Sequence, residues 1–180
     1  ERLVSVVIGY VFGLLQTGYL YGKIHHVDIR KQGSGNAGTT NALRTMGWKA
    51  GVVTLLGDAF KCVFAVLLVR FLYKGSHADM LPLLSMYAGM GAVLGHNYPF
   101  YMKFKGGKGI ATTAGLLLST TNAWMVLICL CVFLGIVAGT KYVSVGSLAV
   151  VILYLLEVIY LGQTGGYGIA QNYLYEMYGI

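Results

Sequence analysis

Residues 50–73, AGVVTLLGDAFKCVFAVLLVRFLY, decide the fold class, because they form an apolar run long enough to cross a membrane. A membrane-spanning helix needs roughly 20 predominantly apolar residues. The whole chain has this character: 57% of its 180 residues are hydrophobic, 11% are charged, and the mean hydropathy is +0.69. A soluble domain carries about 25% charged residues. We therefore predict an all-α, polytopic membrane helix bundle that forms a single domain over residues 1–180.

Five further apolar runs surround this one: Leu3–Gly22, Met80–Leu94, Ile110–Thr121, Asn122–Gly139 and Val143–Leu161. Ile110–Thr121 is short, since it reaches only about 18 Å against a hydrocarbon core of about 30 Å. It predicts a half-length helix, or a helix whose preceding loop lies below the membrane surface. We expect six apparent crossings, the first of them a membrane helix rather than a cleaved leader. No span is expected in the Gly/Tyr-rich tail 162–180.

The basic residues predict the orientation. If every run crosses, one side holds Lys23, Arg30, Lys31, Arg44, Lys49, Lys103, Lys105, Lys108 and Lys141, and the other holds Arg2, Arg70 and Lys74. Because cytoplasmic loops carry the excess of Lys and Arg, the richer side is predicted to be cytoplasmic and both chain ends to lie outside. The net charge of +7 then reflects topology and attraction to anionic lipids or substrates. No nucleic-acid partner is expected.

A first polar segment, Gly33-Ser34-Gly35-Asn36-Ala37-Gly38-Thr39-Thr40-Asn41-Ala42-Leu43-Arg44, interrupts the apolar sequence. Glycines let the backbone approach a ligand closely, while hydroxyl and amide side chains with a fixed cation suit a phosphate oxyanion. We expect Thr39 or Thr40 to N-cap a short helix that carries Arg44. A flexible surface loop is the simpler alternative, and we favour the anion site.

A second segment, Phe104-Lys105-Gly106-Gly107-Lys108-Gly109, leads directly into the short apolar run. A helix beginning at Ile110 would direct its N-terminal amides and the positive end of its dipole toward these lysines. The segment lacks the Ser/Thr and the glycine spacing of a nucleotide-binding P-loop, which disfavours a nucleoside triphosphate. A loop that only grips lipid headgroups would explain the lysines but not the clustered glycines.

Charged residues also lie within the apolar runs. Asp58 and Lys61 are three apart and share a helical face, which fits either a structural ion pair or a substrate contact. His96, at the end of a run, is equally compatible with a base and with an interfacial histidine. Glu157 has no evident partner. The three cysteines, Cys62, Cys129 and Cys131, are expected to be reduced core residues.

The chain lacks the sequence motifs of several enzyme classes. The chain has no Gly-x-Ser-x-Gly nucleophile elbow, no His-Glu-x-x-His zinc motif and no Cys/His cluster. The His-x4-Asp pair of one large class of glycerolipid acyltransferases is also missing. We expect no cofactor and no metal.

Together these motifs resemble those of the PlsY-type bacterial acyl-phosphate:glycerol-3-phosphate acyltransferases. The resemblance spans roughly residues 9–148 and rests on the two glycine-rich segments, Asp58-x-x-Lys61, Gly95-His96-x-x-Pro99 and Tyr142-Val143-Ser144. It implies a bacterial inner-membrane enzyme of seven helices with its active site near the cytoplasmic face. It also implies that the family's third motif is missing, and hence a chain truncated at its C-terminus.

The resemblance assigns roles to individual residues. It implies catalytic roles for Ser34, Arg44, His96 and Lys108. Implied substrate-binding residues are Gly35, Asn36, Thr40, Asn41, Asp58, Lys61, Lys105, Gly106, Gly107, Gly109, Thr112, Lys141 and Ser144. Lys141 stands where arginine is common, so the charge is kept without the planar fork.

The implied reaction transfers an acyl chain from acyl phosphate to position 1 of glycerol 3-phosphate, giving lysophosphatidic acid and inorganic phosphate as the first step of phospholipid synthesis. Because acyl phosphate is already activated, positioning and charge stabilisation would suffice, with His96 or the substrate's own phosphate as base. The partners would be both substrates, the lipid bilayer and an upstream enzyme that supplies acyl phosphate. A transporter of a phosphorylated metabolite and a lipid-binding scaffold are the competing hypotheses.

Overall fold

The structure, a computed structural model, describes residues 1–180 and consists of nine α-helices without strands. The helices are α1 (Arg2–Gly13), α2 (Thr17–Ile24), α3 (Thr39–Met46), α4 (Trp48–Tyr73), α5 (Leu81–Asn97), α6 (Ile110–Thr120), α7 (Ala123–Thr140), α8 (Val143–Gln163) and α9 (Gln171–Tyr178). The predicted all-α fold is confirmed.

Five helical segments are long and apolar enough to cross a membrane: Arg2–Ile24, Trp48–Tyr73, Ala78–Met102, Ala123–Thr140 and Val143–Gln163. The remaining apolar run, Ile110–Thr121, forms α6, a shorter apolar helix, as its length predicted. The tail contains only the short α9 and no candidate span. A C-terminal truncation stays a prediction.

The first apolar run is not one continuous helix. It ends at Gly13 and resumes at Thr17, with Gln16 in a non-helical conformation between the two halves. Such a break frees backbone carbonyls, which within a membrane must be satisfied by other protein groups. This break therefore supplies hydrogen-bonding groups to the bundle interior.

Close packing of α1 on α5 depends on reciprocal glycines. A Cβ atom at Gly9 would lie 2.0 Å from the carbonyl oxygen of Ala88, and one at Gly95 would lie 2.2 Å from that of Tyr10. Gly9 with Gly13, and Gly91 with Gly95, are spaced four apart on their helices. Small residues at this spacing let membrane helices approach at backbone contact. The pairing fixes the end of α5 that carries His96.

Helix α4 is central, because it packs against α1, α2, α3, α5 and α6. Gly115 of α6 allows the carbonyl of Ala59 to lie where a Cβ atom would otherwise be. All three cysteines are free; Cys62 and Cys129 are buried, as predicted. The prediction that Cys131 is a core residue is wrong, since it is exposed on the outer face of α7.

The two glycine-rich segments lie at the same end of the bundle. A small apolar cluster of Ile29, Ala37, Ala42, Ala50 and Met102 joins them, with Ala37 in the first segment and Met102 just before the second. Since all five residues are buried, the segments are held on one common support.

Candidate active site

A single amide shapes the first glycine-rich segment. The two hydrogens of Asn41 Nδ2 are shared among the carbonyls of Ile29, Gln32 and Asn36 at 3.3, 3.0 and 2.9 Å, and the side-chain oxygen accepts from the backbone N–H of Ser34 at 3.0 Å. Since Asn41 is buried at 3% exposure, these bonds curl residues 29–36 around it. The hydrogen bonds of Asn41 stabilise the conformation of this loop. A contact between Asn41 and substrate stays a prediction.

The curl requires glycine at two points. Gly33 and Gly35 have φ values of +57° and +72°, in the left-handed region that glycine enters without strain. Ser34 lies exposed between them. The backbone therefore presents the Ser34 side chain outward from a tight turn.

Helix α3 begins after this turn, but its cap differs from the prediction. The N-cap is Gly38, so neither Thr39 nor Thr40 has that position. The Asn36 side-chain oxygen instead accepts from the Gly38 N–H at 2.9 Å, a local turn that competes well with a threonine cap. The backbone N–H groups of Thr39 and Thr40 consequently donate no hydrogen bond within the protein.

The second glycine-rich segment folds back along the end of α5. Gly106 N–H donates to the carbonyl of Asn97 at 3.0 Å, and Gly107 N–H donates to that of His96 at 3.1 Å. Gly109 then takes a φ of +77° and caps α6. Because the loop runs back along α5, α6 begins beside the last turns of α5, where Gly109 lies against Asn97 and Val93. The position of this loop relative to the membrane surface stays a prediction.

The start of α6 carries a run of free donors. The backbone N–H groups of residues 108–112 donate no hydrogen bond within the protein. The first amides of a helix lack partners in the helix itself, and their positive dipole end attracts anions. This segment thus has the chemistry of an oxyanion or phosphate site, and the exposed Lys108 lies within it.

Gly107 lies directly over the imidazole of His96. A Cβ atom on Gly107 would lie 1.9 Å from Nε2 of that ring. No other residue type leaves space for this contact. The loop glycine and the histidine therefore form one unit that joins the second segment to the bundle interior.

Behind His96 lies a buried charge cluster. Lys61 Nζ is 2.9 Å from Asp58 Oδ1, and the side chains of the two residues are 2% and 1% exposed. The ammonium also donates to the carbonyl of Leu15 at 2.6 Å and lies 2.6 Å from Nδ1 of His96. All three ammonium hydrogens have acceptors, so the ion pair expected on one face of this helix is present and fully bonded.

This arrangement assigns the tautomer of His96. An ammonium group has no lone pair, so Lys61 must be the donor and Nδ1 the acceptor. The neutral imidazole ring therefore carries its proton on Nε2. This tautomer is inferred from the hydrogen bond to Lys61. His96 is buried at 2% exposure. It presents an N–H donor toward Gly107.

The broken first helix completes the cluster, and sequence reasoning did not identify its residues. Gln16 Nε2 donates to the carbonyl of His96 at 2.8 Å, and Thr17 Oγ1 donates to Asp58 Oδ1 at 3.2 Å. Leu15 supplies the carbonyl that Lys61 binds. The sequence feature that could have identified them is Gln16, a polar residue in the middle of an apolar run. An isolated polar side chain there needs a partner in the protein interior.

The cations around the two segments differ in availability. Arg30 is bound to Asp28, with Nε 2.9 Å from Oδ1, and its hydrogen bond holds the pKa of the Asp28 carboxyl below its usual range. Arg44, Lys105 and Lys108 are exposed, and none forms an ion pair or side-chain hydrogen bond. Three cations are thus free to meet an anionic ligand.

Five buried side-chain atoms near the two glycine-rich segments and the buried charge cluster lack hydrogen-bond partners: Gln16 Oε1, Thr39 Oγ1, Thr54 Oγ1, Asn97 Oδ1 and Thr112 Oγ1. Buried polar atoms are normally bonded to protein or ordered water. Thr112 lies in the first turn of α6 and was predicted as a site residue. Thr39, in the first turn of α3, places a second such atom beside the other glycine-rich segment.

The remaining predicted residues lie on the periphery. Thr40 is exposed in the first turn of α3. Lys141 follows α7 with a φ of +63°, and Ser144 is exposed in the first turn of α8. No hydrogen bond or ion pair joins Lys141 or the Ser144 side chain to the two glycine-rich segments. Their contact with substrate stays a prediction.

Comparison with known proteins now identifies the family. The sequence profile of the family described as glycerol-3-phosphate acyltransferase matches residues 3–177. The chain belongs to the glycerol-3-phosphate acyltransferase family. The resemblance drawn from the motifs is therefore confirmed.

Curated members of the glycerol-3-phosphate acyltransferase family support the assignment over most of the chain. The protein of that name from Clostridioides difficile (strain 630) is 47% identical over 146 residues, which cover 81% of this chain and 71% of the relative. That from Geobacter sulfurreducens is 43% identical over 148 residues, covering 82% and 73%.

Solved structures give the same result. Crystal structures of PlsY (YgiH), described as an integral membrane glycerol 3-phosphate acyltransferase, align with TM-scores of 0.79 for the glycerol 3-phosphate form and 0.77 for the lysophosphatidic acid form. Each is 30% identical and covers 99% of this chain and 84% of the solved chain. The membrane bundle described above is therefore the fold of this family.

Proposed function

We propose that this protein transfers a fatty acyl group from acyl phosphate to position 1 of glycerol 3-phosphate. The products are 1-acylglycerol 3-phosphate and inorganic phosphate. The proposal places the reaction at the end of the bundle that carries both glycine-rich segments. By the distribution of basic residues, that end would face the cytoplasm at a bacterial inner membrane.

One observation carries the proposal: α3 and α6 begin with free amides, each of the two glycine-rich segments carries a free cation, and both segments lie on a common apolar support. The first offers the N–H groups of Thr39 and Thr40, with Arg44 in the last turn of the same short helix, and the second offers those of residues 108–112 with Lys108. Each combination suits one phosphate group. A reaction between two phosphorylated substrates needs two such sites side by side.

The bond changes are simple. The hydroxyl oxygen at position 1 of glycerol 3-phosphate attacks the acyl carbon, and a new ester C–O bond forms. The bond from that carbon to the phosphate oxygen breaks, and the electron pair leaves with inorganic phosphate. The hydroxyl proton must reach a base. Since the acyl carbon is already activated, no covalent acyl-enzyme is required, and positioning with charge stabilisation carries the catalysis.

We assign His96 to hydrogen-bond donation rather than to the base. Its Nδ1 atom accepts from Lys61, so its Nε2 atom carries a proton and has no lone pair to offer. The proton of the attacking hydroxyl would then pass to a phosphate oxygen of a substrate. In this role His96 acts with Lys108 and the α6 amides to stabilise negative charge in the transition state.

The experiment uses the purified chain in detergent with palmitoyl phosphate and glycerol 3-phosphate. Phosphate release and 1-acylglycerol 3-phosphate formation are measured together. The proposal requires both products, in equal amounts, only when both substrates are present. Phosphate release without glycerol 3-phosphate would indicate a hydrolase. Uptake of glycerol 3-phosphate into protein-containing vesicles without acyl transfer would support the transporter instead.

A further inference from the structure

A second group of unsatisfied polar atoms lies away from the glycine-rich segments. Glu157, in α8, is 7% exposed, and both of its carboxylate oxygens are buried without a hydrogen-bond partner. The hydroxyl of Tyr167, in the loop after α8, is likewise buried and unpartnered. Burial, with the nearby Glu157 charge as a second cause, raises the pKa of Tyr167 to about 12. Groups of this kind are expensive to bury and normally mark a partner.

Glu157 forms part of the wall of a groove between α7 and α8. The groove has a volume of about 360 Å³, and seven of its nine lining residues are hydrophobic. Asn122 is the other polar lining residue, and it caps the start of α7. Since α6 begins at the glycine-rich end and runs from there to Thr120, this groove lies at the other end of α6.

The mouth of the groove carries two large aromatic side chains. Trp124 and Tyr160 both line it and are 76% and 66% exposed. Exposed Trp and Tyr are typical of the level where a bilayer meets water. Their π faces also attract ammonium groups. Glu157 is three residues before Tyr160 on α8, about one helical turn away.

The protein offers the Glu157 carboxylate no cation of its own. The three basic residues outside the glycine-rich side have other partners: Arg2 binds Glu176, Arg70 donates to Ser85 Oγ at 2.9 Å, and Lys74 lies over the Phe71 ring. No ion pair or hydrogen bond connects any of them to Glu157. No hydrogen bond or ion pair holds the carboxylate, so turning it toward the groove would break neither.

We propose that the α7–α8 groove binds a membrane lipid with a primary ammonium headgroup, whose ammonium pairs with Glu157 beside Trp124 and Tyr160. The apolar lining would receive the upper part of an acyl chain. A charge-assisted hydrogen bond to the ammonium would satisfy a carboxylate that otherwise has no partner. This site is separate from the proposed active site and does not depend on the proposed reaction.

The test compares two lipids that differ in one charge. Dioleoylphosphatidylethanolamine and its N-acetylated form are added separately to the purified chain in detergent, and bound lipid is counted by native mass spectrometry. We expect the free amine to bind about tenfold more tightly, as a charge-assisted contact worth 1.4 kcal/mol would give. In Glu157→Gln, which keeps the shape, this preference is expected to disappear.

Matched variants guard against a folding defect in Glu157→Gln. Trp124→Ala removes a lipid-exposed aromatic side chain at the groove and should reduce the preference for the amine. Trp48→Ala removes one that is 66% exposed at the start of α4 and should leave it unchanged. Equal binding of both lipids to the native chain, or an undiminished preference in Glu157→Gln, would overturn the proposal. Equally tight binding of soluble ethanolamine, measured in the same way, would refute a lipid ligand.

Discussion

The Nζ atom of Lys61 lies 2.6 Å from Nδ1 of His96, and both side chains are almost completely buried. This one contact links the charge pair within α4 to the histidine that lies beneath the Gly107 loop. It also determines which nitrogen of His96 carries the proton, because Lys61 can only donate. Lys61, inside the bundle, thus makes His96 a hydrogen-bond donor toward the second glycine-rich segment.

The first prediction concerns the stability of this cluster. Lys61→Met leaves the Asp58 carboxylate buried without its partner, and we expect a loss of about 3–5 kcal/mol in the free energy of unfolding. Denaturant titration in detergent measures it. The double variant Asp58→Asn/Lys61→Met removes both charges and should recover most of the loss. If the single variant is as stable as the native chain, the ion pair has no structural role.

A second prediction separates hydrogen-bond donation from base catalysis at His96. Gln places an N–H donor near the position of Nε2 but cannot take up a proton at neutral pH. We expect His96→Gln to retain kcat/KM within about tenfold, and His96→Leu to lose about 100-fold or more, as for a lost oxyanion donor. Equal losses of kcat/KM in both variants would indicate a base instead.

A third prediction tests the contact between Gly107 and His96. Gly107→Ala would bring a Cβ atom to 1.9 Å from Nε2, so the loop or the ring must move. We expect kcat/KM to fall by about 100-fold, because displacement of about 1 Å can have that effect. Gly139→Ala is the matched control, since nothing lies within 4 Å of its added Cβ atom. Similar activity of both variants would show that the loop does not depend on this contact.

A fourth prediction concerns pH and the docking of α9. The hydrogen bond from Arg2 holds the pKa of Glu176 below its usual range. A carboxylate with a lowered folded-state pKa stabilises the fold above its unfolded pKa of about 4.3, and this contribution is lost as the pH falls through the folded value. The native melting temperature should therefore decline on acidification below about pH 4.3 more than that of Glu176→Gln. Parallel pH profiles would contradict the assignment.

The sequence was sufficient where local chemistry decides the structure. Gly109 before a short apolar run predicted the start and the length of α6, since glycine favours the cap and length limits the span. Asp58 and Lys61 were placed on one face because helical geometry leaves no alternative. Free amides at the helix starts followed from the same reasoning.

The long-range contacts could not be predicted from the sequence. The apolar run 3–22 has helical composition throughout, and its break at Gln16 depends on partners in α4 and α5 that only the tertiary structure brings together. Thr39 and Thr40 are good capping residues, but Asn36 supplies the competing hydrogen bond. The exposure of Cys131 was also not predictable from the sequence, because residues of a membrane protein that face outward can be as apolar as those in its core.

The central claim is that two cationic, amide-rich sites bind two phosphate groups. It is tested most directly by steady-state kinetics of acyl transfer with Arg44→Ala and Lys108→Ala, with Lys49→Ala as an exposed cation outside both segments. We predict that kcat/KM falls at least about tenfold in each of the first two variants, while all three keep the native melting temperature. Lys49→Ala should retain native activity. Unchanged kinetics in both Arg44→Ala and Lys108→Ala would contradict the two-phosphate site.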